Sequence, residues 1–122
     1  MSHTMGSPDE TLARRILATV PYPDRFPAGR LRPPVGILAG SVRSLHELQL
    51  LLEPDARSLP GLNLQALPDW VARVVGDAVL AAALRTAHDT TASYVEGCLA
   101  TYELVTTRLA QARAVIGEEA VS

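Results

Sequence analysis

Apolar residues along this chain recur three and four apart in four stretches, the spacing that lines up one face of a helix. The first stretch is 9–20, where Leu12, Ile16 and Leu17 share a face and Arg14 and Arg15 fall off it. Ser7 is placed to cap this helix and Pro8 to open it, since proline's missing N–H is harmless in a first turn. The second stretch is 44–53, with Leu45, Leu48, Leu51 and Leu52 behind the capping box Ser44-Leu45-His46-Glu47. The third is 68–86: Pro68 and Asp69 start it, and Leu80 and Leu84 continue its apolar face. Two readings of its middle stand. Either Gly76 ends one helix in a left-handed turn and Asp77 caps the next, or a single helix carries an internal glycine. The fourth and longest is 89–116, with Val95, Leu99, Tyr102, Leu109, Ala112 and Ile116 on a seam, Gly117 as its stop and 118–122 as a tail.

Between the helices the pattern fails. Pro21, Pro23, Pro27, Pro33 and Pro34 crowd 21–34, so that stretch cannot be regular helix. It reads as a connecting arm in which Tyr22, Phe26 and Leu31 can still pack. Val35–Val42 is ambiguous, weakened as a helix by Gly36 and Gly40, and 54–66 reads as a loop around Pro60-Gly61. The expectation is an all-α fold: a small helical bundle with a Pro-rich N-terminal arm and a long C-terminal helix. Residues 1–7 read as a cloning leader, 8–34 as a short helix plus arm, and 35–117 as the helical domain.

Composition sharpens this picture. Aromatic residues make up only 4% of the 122 residues, so Leu, Val and Ala must fill the core and Trp70 should be largely buried. Every strong base is arginine, a choice that also fits the codon usage of a GC-rich genome. A net charge of −2 argues against a nucleic-acid partner, and the arginines of the first third come without an aromatic stacking ladder. No apolar run approaches membrane-spanning length. Cys98 is alone, which rules out an internal disulfide; with no membrane-spanning run and no signal-peptide apolar core, a soluble cytoplasmic protein is the default expectation.

Candidate chemistry is thin. His46 beside Glu47 has the makings of a phosphoacceptor, but it sits in the first turn of a helix, where a solvent-facing histidine is the simpler reading. A metal would need His46, His88, Glu96 and Glu103 to converge, and the paired Glu-x-x-His pattern of di-iron bundles is missing. Cys98 lies mid-helix, without the base or helix start that would lower its pKa. Asp69 and Asp77 are accounted for as helix starts. Neither a phosphate-binding loop nor a nucleophile elbow occurs, so no catalytic residue, metal or cofactor is expected.

Ser44-Leu45-His46-Glu47-Leu48 resembles a Ser-Leu-x-Glu-(Phe/Leu) helix start, and Leu67-Pro68-Asp69-Trp70-Val71 resembles Phe-x-x-Trp-(Leu/Ile). Gly76-Asp77-Ala78-Val79-Leu80-Ala81 resembles Gly-Asp-x-x-Leu-Ala. In that order, over about 35–85, these pieces are similar to a small prokaryotic helical domain of unknown function, found as short stand-alone proteins or appended modules. That family carries a histidine and an Arg-x-Asp before its Phe-x-x-Trp, where Leu62–Ala66 is uncharged here. The resemblance implies a helical, Trp-centred module and brings no activity.

The last helix spans about 42 Å at 1.5 Å per residue, far longer than the helix beginning at Ser44. The leading expectation is therefore a non-enzymatic interaction protein that forms a homodimer through Val95, Leu99, Tyr102, Leu109 and Ile116. The alternative is a small-molecule-binding regulatory domain with an apolar inter-helix pocket near Trp70, Arg85, Tyr94 and Tyr102.

Overall fold

A computed structural model of the chain describes residues 5–55 and 58–121. The elements run α1 (Glu10–Leu17), β1 (Phe26–Arg32), β2 (Gly36–Leu38), β3 (Ser41–Val42), α2 (Leu45–Leu52), β4 (Leu59–Leu62), α3 (Leu67–Trp70), α4 (Ala78–Thr90) and α5 (Tyr94–Val121). The all-α expectation is thus corrected. The proline arm, the ambiguous Val35–Val42 stretch and the loop at 54–66 together make a small antiparallel sheet, and the fold is mixed α/β.

β1 is the central strand. β2 and β3 follow one of its edges in a single register, Arg32 opposite Gly36 through Phe26 opposite Val42, and β4 takes the other edge, Ala28 opposite Leu62. The N–H of Ala28 donates to the Gly40 carbonyl at 3.1 Å, so even-numbered residues of β1 direct their backbone towards β3. This places both prolines where no ladder bond is lost. Pro27 turns its nitrogen past the end of β4, and Pro60 turns its own away from β1. Gly29 is needed where β2 closes over β1, because a methyl group there would stand 2.5 Å from the Leu38 carbonyl oxygen. The inner face of the sheet presents Phe26 and Ala28 to the core. On the same face Arg30 donates to the Leu51 carbonyl at 2.9 Å, satisfying one of the unpaired carbonyls at the end of α2.

The helix starts follow their caps. α1 is capped by Asp9 rather than Ser7, with the Leu12 N–H donating to its carboxylate at 2.8 Å. Ser44 accepts from the Glu47 N–H at 3.1 Å, and the Glu47 carboxylate returns to the N–H of Arg43 at 2.7 Å. The guanidinium of Arg43 holds that carboxyl below its ordinary pKa. The break at Gly76 is real. After α3 the chain widens into one turn of π-helix, Val71–Val75, closed by the Gly76 N–H on the Val71 carbonyl at 2.9 Å, and Gly76 itself takes a φ of 85°. α5 starts at Tyr94, not Asp89. Ser93 and Glu96 form a second capping box, the Glu96 N–H on Ser93 at 3.2 Å and the Ala92 N–H on Glu96 at 3.0 Å. The helix continues through Gly117.

α5 packs against α1, α2 and α4, and α3 packs against α4. Trp70, 4% exposed, stacks obliquely on Phe26 with ring centroids 5.6 Å apart, and its indole N–H donates to the Asp24 carbonyl at 2.7 Å. The innermost polar contact is an ion pair. Arg108 on α5 grips both oxygens of Asp77, Nε at 2.7 Å and Nη2 at 3.0 Å, with the side chains 1% and 0% exposed. Asp77 also caps α4 through the Leu80 N–H at 3.0 Å.

Removing one member of a buried pair leaves the other charge without its counter-ion, a loss of about 3–5 kcal/mol. Arg108→Met should lower unfolding stability by about that much, and Asp77→Ala by about 1 kcal/mol more because the α4 cap goes with it. Urea titration followed by Trp70 fluorescence reads both, and a loss below about 1 kcal/mol for either would contradict this assignment.

Candidate interaction surface

The sheet leaves its outer face uncovered. Leu31 projects there from β1, and the glycines Gly29 and Gly61 sit directly opposite each other across the β1–β4 pair. The groove over them holds about 620 Å³ and is walled by Leu31, Leu59, Leu62, Ala39 and Tyr94. A second groove of about 350 Å³ lies on the other side of β4, between Leu59 and Pro60, the Leu52–Pro54 corner, and Val95 and Leu99 of α5. Leu59 and Pro60 belong to both grooves, so β4 is a ridge between two apolar hollows.

Tyr94 fixes this ridge. Its hydroxyl donates to the Pro60 carbonyl and accepts from the Leu62 N–H at 3.1 Å. It therefore occupies the outward backbone groups of β4, which would otherwise be an unpaired strand edge. Burial raises the pKa of the Tyr94 phenol. Cys98 lies one turn further along α5, and burial raises its thiol pKa as well, which keeps it protonated and unreactive.

The expected interface residues divide. Val95 and Leu99 stand 51% and 43% exposed on the first turns of α5. Tyr102 and Ile116 are half-buried against the core, and Leu109 is fully buried. Leu109 therefore belongs to the core rather than to a docking face, because α1, α2 and α4 cover the middle of α5. The proposed inter-helix pocket residues do not converge. The Trp70 indole faces Asp24, Arg85 pairs with Asp69 at 2.7 Å on the surface, and Tyr94 closes β4.

The histidines are engaged separately. His46 is exposed, and its Nδ1 accepts from Arg113 at 3.2 Å. His88 is half-buried, with Nε2 2.8 Å from the Thr101 hydroxyl. Among the described residues, no three His, Cys, Asp or Glu side chains gather as a metal site. Among them, too, no helix is long and apolar enough to cross a membrane. Sequence reasoning passed over Arg108, although its spacing with Val105, Leu109 and Ala112 puts a charge on the apolar stripe of α5. It also set aside Met5, which is buried and whose carbonyl accepts from the Gln111 side chain at 2.7 Å.

No protein-family model matches this chain. Nor does any curated protein or solved structure. The surface described above has to be interpreted from its own geometry.

Burial is the main cause that lowers the pKa of His88, outweighing the nearby Asp89 carboxylate and the Leu64 carbonyl, which raise it. As pH falls through about 6.5 the unfolded chain takes up this proton before the folded one does, so folding stability falls with it. Above that pH the residue is neutral in both states and contributes no slope. His88→Gln should therefore flatten the loss of stability on acidification between neutral pH and about pH 5, measured by urea unfolding. An unchanged slope would show that His88 does not carry it.

Proposed function

We propose that this chain is a non-enzymatic interaction protein that associates with a second copy of itself through the ridge of β4 and the first turns of α5. One observation carries this reading. Val95 and Leu99 stand exposed beside Leu59 and Pro60, and those two continue into the outer-face groove with Leu31 and Tyr94. Contiguous exposed apolar surface of this kind marks interaction sites on folded proteins. A two-fold axis beside the ridge would set the same patch against itself, with Glu53 and Asp55 in the lining of one groove and Arg30 in that of the other. A cytoplasmic setting, the default for a chain with no disulfide scaffold, belongs to the same proposal. So does kinship with the small prokaryotic helical domain, which the Ser44 cap, the buried Trp70 and the Gly76–Asp77 break support. The sheet lies outside what that resemblance implies.

Light scattering on the eluting protein should give a dimer mass at micromolar concentration. Val95→Asp and Leu99→Asp should each give a monomer with an unchanged circular dichroism spectrum. Leu109→Asp should unfold the chain instead, since that side chain is fully buried. A monomeric unmodified protein, or a dimer indifferent to both aspartates, would overturn this reading.

A second reading rests on the outer-face groove itself, whose volume of about 620 Å³ suits a small apolar ligand. Its glycine floor gives a discriminating pair of variants. A Cβ at Gly61 meets only ordinary contacts, Gly29 backbone at 3.8 Å, whereas one at Gly29 collides with the Leu38 carbonyl. Gly61→Val should keep the fold and abolish uptake of an apolar fluorophore, while Gly29→Ala should destabilise the sheet. Equal uptake by Gly61→Val and the unmodified chain would remove the ligand reading.

A further inference from the structure

Before α1 begins, the segment from Met5 to Pro8 lies against α5 in an irregular, non-helical conformation. Met5 and Pro8 are buried, while Gly6 and Ser7 between them are exposed. Two consecutive carbonyls are held by side chains of one helix: Gln111 Nε2 donates to Met5 at 2.7 Å, and Arg108 Nη1 donates to Gly6 at 2.7 Å. Two apolar anchors three residues apart, with main-chain acceptors read by fixed donors, is how a short linear peptide is recognised.

The donors are also held from within the fold. Asp77 clamps Arg108 through Nε and Nη2, and Arg108 in turn orients Gln111 by donating to its Oε1 at 3.0 Å. Contacts on the core side of this groove thus fix both donors, and the link through Asp9 into α1 joins the occupant to the same chain. We propose that this groove is an exchangeable docking site, and that Met5–Pro8 of one copy can fill the groove of another. It lies on a surface separate from the β4 ridge and holds whether or not that ridge self-associates.

Competition on the full-length chain tests this. The probe is a labelled, N-acetylated peptide of residues 5–10. Met5→Ser combined with Pro8→Ser weakens the resident segment and should raise peptide affinity at least about tenfold, because a tethered competitor acts at roughly millimolar effective concentration. Adding Gln111→Ala to that variant should lower the affinity severalfold, while Val95→Asp and Leu99→Asp should leave it unchanged. Equal binding by the double variant and the unmodified chain would overturn the proposal. If the double variant fails to fold, the isotope-labelled unmodified chain decides: saturating unlabelled peptide should give intermolecular cross-relaxation to the Gln111 side-chain amide, and its absence would overturn the proposal.

Discussion

The contact between Asp77 and Arg108 organises more of this chain than any other. A carboxylate and a guanidinium, both out of contact with water, can persist only if nearly every remaining donor and acceptor is satisfied. Here that demand recruits distant pieces. The second role of Asp77 is to cap α4, which fixes where the chain turns after Gly76. The remaining nitrogen of Arg108 reaches Gly6 and Gln111, which draws the N-terminal segment onto α5. One ion pair thus sets the start of α4, the rotation of α5 about its axis and the path into α1. A pair of leucines could fill the same volume, but they would leave the cap and the Gly6 carbonyl unanswered.

The same constraint explains why α5 can lie at the centre of the molecule although its sequence looks like that of a surface helix. Its length suggested an uncovered seam, and the seam is uncovered only over its first turns. Further along, Val105, Arg108, Leu109 and Ala112 all face inward, and α1, α2 and α4 close over them. What remains outside is one face of the end nearest the sheet, where Val95 and Leu99 are exposed beside β4. The candidate surface is therefore a consequence of packing: helices cover the inner face of the sheet and the middle of α5, and β4 with the start of α5 is left over.

Punctuation was the legible part of the fold. Ser44 with Glu47, Gly76 and Asp77 act locally, within four residues, and their geometry is the one their residue types require. Ser93 with Glu96 carried the same signal and was obscured by His88-Asp89, which looks like a start but lies in the last turns of α4. The sheet was hidden for a physical reason. Strands betray themselves by alternation of polar and apolar residues, and β1 lacks it: Phe26 and Ala28 face inward with Arg30 on the same side, against Pro27, Gly29 and Leu31 outward. The prolines that argued against a strand are tolerated because each falls on the side of its strand without a ladder partner. That alternation in hydrogen bonding is invisible until the register is known.

The candidate site was legible only where it depends on helix faces. Val95 and Leu99 could be read from their spacing, but Leu31, Leu59 and the Gly29–Gly61 floor become neighbours only through strand pairing between residues about thirty apart. Tyr94 shows how the two levels meet. Its spacing offered a polar group for a pocket, yet its hydroxyl is committed to the backbone of β4. By closing that edge it blocks strand addition at β4, and it does so while leaving the apolar ridge exposed. An edge guarded beside a face left open directs association towards side-chain packing and away from strand addition, which is the physical basis for reading this surface as a specific interface.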